Sequence, residues 1–109
     1  MSGWFELKKN ASGKYHFVLK AGNSETILSS EVYETKASAE KGIASVQTNS
    51  QLDERFEQKV AKDGSFYFVL KAANHQVIGN SEMYKTEESC KKGIASVKQN
   101  GKVTTVKEI

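Results

Sequence analysis

The chain has 109 residues, with 16 Lys and Arg against 13 Asp and Glu, a net charge of +3, and 38% apolar residues. That length gives one domain with one modest core, and the composition excludes a disordered or fibrous chain. The single cysteine, Cys90, excludes an internal disulfide or a cysteine-based zinc site, and +3 is too small a charge to argue nucleic acid from.

Residues 4–50 lie on residues 55–101 at a constant offset of 51, without a gap, and almost half of the 47 pairs are identical. The chain is therefore a tandem duplication, joined by Gln51–Glu54 and followed by a tail, residues 102–109. The first predicted strand is Trp4–Lys8, where Phe5 and Leu7 alternate with Glu6 and Lys8. A turn at Ser12-Gly13 follows, matched by Asp63-Gly64, a hairpin signal because Gly supplies a positive φ. The second strand, Lys14–Ala21, sets Tyr15, Phe17, Leu19 and Ala21 against His16, Val18 and Lys20. Its copy sets Phe66, Phe68, Leu70 and Ala72 against Tyr67, Val69 and Lys71. A short third strand lies around Glu25–Ser29 and Gln76–Asn80.

Helices are predicted after Thr35 and Thr86, whose hydroxyls suit an N-cap, with Glu87 and Glu88 complementing the dipole of the second. Their apolar stripes are Ala39, Ile43, Val46 and Cys90, Ile94, Val97. Gly42 and Gly93 beside those stripes imply a close approach, expected from a strand, that leaves no room for a Cβ. Asn49 and Asn100 suit a left-handed helix end. Leu52–Val60 reads as one long strand serving both units, and Val103–Lys107 as a final one. Each 47-residue unit is too small to stand alone. The reading is therefore α+β: one mainly antiparallel sheet shared by two repeats, with two helices on one face.

The aromatic openings Trp4-Phe5-Glu6 and Arg55-Phe56-Glu57, Leu-Lys-Ala-x-Asn at 19–23 and 70–74, Ser-Glu-x-Tyr at 30–33 and 81–84, and Lys-x-Gly-Ile-x-Ser-Val from Lys91 form a combined pattern. Together they resemble the YegP-like family, small bacterial proteins with one or two copies of a short domain of unknown function. The resemblance implies two β-β-β-α-β units that form one sheet and exchange their final strands. It puts the tail strand in the first unit's half of the sheet. Where that family often has Gly, this chain has Ser24, His75, Val32 and Met83. The family brings no established activity or ligand.

Among candidate sites, Cys90 reads as a small buried hydrophobe rather than a nucleophile. His16 and His75 hold different places in their units and lack clustered carboxylates, so no metal or cofactor site is predicted. Ser30, Glu31 and Tyr33, with Ser81, Glu82 and Tyr84, would frame a carboxylate pocket, the basis of a lower-ranked enzyme reading. The plainer alternative has Ser turn the chain, Tyr pack, and Glu pair with Lys20 or Lys71. Trp4, His16, Val18, Lys20, Tyr67, Val69 and Lys71 would share the sheet face the helices leave open. That face suits a protein partner or self-association, and after that a single-stranded nucleic acid stacked on its aromatics.

Nothing in the sequence approaches a membrane span, and Met1-Ser2-Gly3-Trp4 lacks a secretory start. The expectation is a non-enzymatic cytoplasmic pseudo-dimer that binds or associates through its sheet face.

Overall fold

A computed structural model describes residues 3–109; Met1 and Ser2, part of the start read above for a secretory signal, lie outside them. Two hairpins open the two repeats. In the first, β1 (Trp4–Lys9) and β2 (Tyr15–Lys20) are joined through Gly13 at φ 82°, while Asn10 Oδ1 accepts from the Ser12 and Lys14 N–H groups. In the second, β4 (Phe56–Val60) and β5 (Phe66–Lys71) turn through Gly64 at φ 86°, with Asp63 Oδ1 accepting from Ser65 N–H. The other elements are β3 (Thr26–Ser30), α1 (Lys36–Asn49), β6 (Val77–Asn80), α2 (Glu87–Asn100) and β7 (Val106–Glu108). No helix among the described residues is long and apolar enough to cross a membrane.

The seven strands form one sheet in the order β4-β5-β6-β3-β2-β1-β7, antiparallel throughout except for β7 on β1. The repeats meet at β3 and β6, where Ser29 faces Asn80, its own counterpart at offset 51. At that pair, equivalent positions of the two repeats face each other across the join.

One helix-covered core serves both halves. It gathers Phe5, Leu7, Phe17, Leu19 and Leu28 with Phe68, Leu70, Ile43, Val46, Cys90 and Val97. Each large apolar side chain buried there contributes about 1.5–3 kcal/mol relative to exposure. The helices also lie across the join: α1 packs on β5 and β6 of the second repeat, and α2 on β2 and β3 of the first. The caps are as predicted, with Thr35 Oγ1 accepting from Ser38 N–H at 3.1 Å and Thr86 Oγ1 from Ser89 N–H at 3.0 Å.

Three local expectations are corrected. Asn49 and Asn100 do not sit in left-handed backbone; the residues that end the helices, Ser50 and Gly101, are right-handed at φ −65° and −68°. What approaches Gly42 and Gly93 is not strand backbone but the phenol rings of Tyr33 and Tyr84, with Phe17 and Phe68 alongside. Leu52–Val60 is not one long strand: Asp53–Arg55 forms a 3-10 turn that brings the chain from the end of α1 to the start of β4. Arg55 is held in that turn by its own N–H on the Leu52 carbonyl and its Nε on Asn49 Oδ1.

The strand exchange leaves the two ends of the sheet unequal. The tail strand β7 crosses to the first repeat and pairs with β1 through Phe5–Val106, Glu6–Lys107 and Leu7–Glu108. The matching segment of the first repeat is β4 itself, which already serves as the opening strand of the second. Among the described residues no further strand covers β4, which ends the sheet. Leu7 on β1 is accordingly buried, whereas its counterpart Gln58 on β4 is exposed.

Candidate functional site

The Ser-Glu-x-Tyr residues are sheet carpentry. Pairing of β2 with β3 runs to Val18–Ser29, after which Phe17 N–H donates to Ser30 Oγ at 2.8 Å instead of to a backbone carbonyl. The Ser30 hydroxyl donates onward to the Glu31 carbonyl at 2.7 Å. Glu31 and Val32 bulge into solvent, and pairing resumes where Tyr15 and Tyr33 exchange backbone bonds of 2.8 and 2.7 Å. The second repeat repeats this: Phe68 N–H reaches Ser81 Oγ at 3.0 Å, Ser81 donates to the Glu82 carbonyl at 2.8 Å, and Phe66 pairs with Tyr84. Serine thus splints a two-residue bulge, and tyrosine restarts the ladder.

Each tyrosine then completes an aromatic stack. Tyr33 lies parallel to Phe17 at 6.1 Å, and Phe5 meets Phe17 edge-on at 5.9 Å; Tyr84, Phe68 and Phe56 repeat the arrangement. Burial raises the Tyr33 phenol above its ordinary pKa, and the Glu31 carboxylate adds to the rise. Burial does the same for Tyr84, followed by Cys90, Glu82 and Glu25. Glu31 and Glu82 are exposed, and the expected pairing with Lys20 or Lys71 is not formed: Lys71 pairs with Glu57 across the β4–β5 hairpin. Neither carboxylate is buried, and each stands beside a serine whose hydroxyl bonds the sheet.

Cys90 is fully buried, and its thiol is pushed up chiefly by burial and then by Glu87, the reverse of nucleophile activation. His16 lies on β2, while His75 occupies the turn after β5 at φ 69°. No group of three or more His, Cys, Asp or Glu among the described residues is placed to hold a metal.

The helix-free face is built by sheet register. Lys107, Glu6, Val18, Ser29, Asn80, Val69 and Glu57 form a transverse row across all seven strands. Flanking rows place Trp4 beside Lys20, Lys8 beside His16, Lys59 beside Tyr67, and Lys71 beside Val77. Val18 and Val69, expected to be presented there, are only 8% and 6% exposed, so they lie beneath the surface of that face. Trp4 donates its indole N–H to Glu6 at 3.0 Å, and Lys107 Nζ sits 4.3 Å from its ring centroid. The face carries Lys8, Lys20, Lys59, Lys71 and Lys107 against Glu6 and Glu57. Both acids are engaged internally, Glu57 by Lys71 and Glu6 by Trp4 and by Lys8 at 3.9 Å.

Sequence reasoning missed a groove between the β2–β3 turn of the first repeat and α2 of the second. A hollow of about 310 Å³ there is lined by Ala21, Asn23, Glu25, Ile27, Tyr84, Ser89, Lys92, Gly93 and Ser96. Of the six motif residues only Tyr84 appears in that lining. The available signal was the spacing of Ser89, Gly93 and Ser96, small residues at i, i+4 and i+7 on one flank of α2.

Comparison with known proteins agrees with this duplicated architecture. A domain of unknown function, DUF1508, matches residues 10–57 and again residues 61–108. The chain belongs to the DUF1508 family. Among its relatives, the UPF0339 protein YegP of Escherichia coli K12 is 62% identical over 108 residues, spanning 99% of this chain and 98% of that protein. A UPF0339 protein of Acinetobacter baylyi is 61% identical over 109 residues, with 100% and 98% coverage. The solution NMR structure of E. coli yegP, described as a protein of unknown function, superposes with a TM-score of 0.94 at 62% identity, covering 99% of this chain and 93% of that one. That of a UPF0339 protein from Shewanella oneidensis gives 0.93 at 54% identity, covering 99% and 92%. The DUF1508 copies start at the second strand of each repeat and close on β4 and β7, so in family terms β4 ends one copy and then opens the next hairpin.

Proposed function

We propose that this DUF1508 protein is a non-enzymatic, cytoplasmic binding module that takes an acidic protein surface onto the helix-free face of its sheet. The observation that carries the reading is the five lysines gathered there against two internally engaged glutamates. Such a face attracts a negatively charged partner and speeds encounter. The serine and tyrosine hydroxyl-bearing residues of Ser-Glu-x-Tyr are used in holding the sheet, which speaks against a catalytic pocket at that motif. The free, buried Cys90 fits a reducing compartment.

Single-stranded nucleic acid is the second reading, favoured by Trp4, His16 and Tyr67 among those lysines. It ranks lower because Trp4 is occupied by Lys107 and Glu6. Immobilised protein should capture a partner in a salt-sensitive way, and Lys8→Glu, Lys20→Glu and Lys107→Glu together should abolish capture. Reversing Lys41, Lys91 and Lys92 on the helices should leave it intact; equal loss in both variants overturns the reading. Saturable, salt-sensitive quenching of Trp4 by oligonucleotides would favour nucleic acid instead.

A further inference from the structure

The uncovered edge of β4 matches a second copy of itself. The internal template is β1, whose outer edge recruits β7. Phe5 N–H donates to the Thr105 carbonyl and Ile109 N–H to the Leu7 carbonyl, both at 2.9 Å, so Phe5 and Leu7 turn their backbone groups outward. The β4–β5 hairpin has the register of β1–β2: Phe56 faces Leu70 as Phe5 faces Leu19, and Glu57 faces Val69 as Glu6 faces Val18. The outward groups of β4 are therefore those of Phe56, Gln58 and Val60. Among the described residues no strand pairs with that edge, and Val60 is 64% exposed.

On β1 the recruited strand sets Val106 against Phe5 and Lys107 against Glu6. The sequence Phe56-Glu57-Gln58-Lys59-Val60, laid antiparallel on a second copy about a two-fold axis at Gln58, produces the same chemistry. Phe56 meets Val60 of the second copy, Gln58 meets Gln58, and these outward-facing pairs exchange backbone hydrogen bonds. Glu57 meets Lys59 of the second copy in the intervening positions, where antiparallel side chains stand closest. We infer that the protein forms an isologous dimer through β4, making one sheet continuous across two molecules. A slip by one residue would oppose Glu57 to Gln58 and turn side chains to the wrong face, so the charges also fix the register. The contact is small, which makes the dimer reversible. Glu57 and Lys59 also border the lysine-rich face, so the dimer is tested on the protein alone, with no acidic partner present.

Sedimentation velocity over a dilution series tests this with Glu57→Lys and Lys59→Glu. The unmodified protein should shift from monomer to dimer as concentration rises. Each variant alone opposes like charges and should remain monomeric, whereas an equimolar mixture restores both Glu–Lys pairs and should form the heterodimer. Circular dichroism melts confirm that each variant is folded, and the mixture itself reports competence to pair. An unmodified protein that stays monomeric, variants that still dimerise alone, or a mixture that does not pair would each overturn the inference.

Discussion

Gly3 N–H donates to the side-chain oxygen of Asn100 at 3.0 Å, joining positions 97 residues apart. Asn100 also donates from its amide to the Ser96 carbonyl at 2.8 Å, so one side chain ties the last turn of α2 to the entry of β1. Asn49 does the equivalent work in the first repeat, bonding Ser45 and receiving Arg55 Nε at 2.9 Å. Asn100→Ala removes the acceptor from a buried N–H and should cost about 1–3 kcal/mol in denaturant unfolding. Asn49→Ala, whose lost partner is a half-exposed guanidinium, should cost less.

Gly42→Ala reverses the usual sign of a helical glycine substitution. On an open helix surface the change stabilises by about 0.8–1 kcal/mol. Here the new Cβ would lie 2.8 Å from Tyr33 Cζ and 2.9 Å from Phe17 Cε2, inside contact distance of two stacked rings. A loss of about 1–3 kcal/mol is expected, with the same for Gly93→Ala against Tyr84 and Phe68. In a Tyr33→Leu background the penalty of Gly42→Ala should shrink; an unchanged penalty would place the clash elsewhere.

These two cases show which part of the architecture a single sequence discloses. Strand and helix periods are local and repeat twice, so the hairpins, the threonine caps and the shared core were readable from Phe17–Ala21, Thr35 and their copies. The glycines announce a close approach, but not the ring that fills the space beside them, because Tyr33 reaches Gly42 only after the sheet and helix pack. The roles of Asn49 and Asn100 are likewise tertiary. The dual use of the segment after α1 is legible in the sequence; the 3-10 turn at Asp53–Arg55 that sets β4 off from the helix is not, and nor is the bare sheet end that results. The groove along α2 combines a turn from one repeat with a helix from the other, and neither piece signals it alone.

Ser24 and His75 are the two non-glycine residues at positive φ among those described, 71° and 69°. Both turns close through a backbone bond of 2.9 Å, Ser24 N–H to the Ala21 carbonyl and His75 N–H to the Ala72 carbonyl. A Cβ in left-handed backbone costs roughly 1–2 kcal/mol, of which glycine's greater unfolded-state freedom returns part. Ser24→Gly and His75→Gly should each raise the melting temperature, and their effects should add because the turns are separate. A fall in either would mean that the side chain contributes more than the strain costs.

Stability should decline at alkaline pH. Tyr33 and Tyr84 are raised above the ordinary 10.0 and Cys90 above 9.0, each chiefly by burial. A raised acid keeps its proton longer in the folded state, so its contribution is complete below the unfolded pKa. It is then lost as pH climbs through the folded one. Melting temperature should therefore hold below about pH 9 and drop beyond it. Tyr33→Phe with Tyr84→Phe should flatten the drop above pH 10, leaving a smaller one that Cys90→Ala reduces further, the remainder including the exposed Lys36, raised by its bond to Glu108.

Serine and glutamate in the Ser-Glu-x-Tyr motifs should separate cleanly under substitution. Ser81 is buried and its Oγ is the partner of Phe68 N–H, so Ser81→Ala leaves a core-strand donor unmet and should cost about 1–3 kcal/mol. Ser30→Ala should do the same to Phe17 N–H, somewhat less because Ser30 is only partly buried. Glu31→Gln and Glu82→Gln touch exposed carboxylates outside any ion pair among the described residues and should stay within about 0.5 kcal/mol. A catalytic pocket would reverse this pattern of sensitivity, because its carboxylates would be held unfavourably and their neutralisation would stabilise the fold. Urea unfolding of the four variants distinguishes the two: a marked gain in stability from either Glu→Gln change would return the motif to the list of active-site candidates.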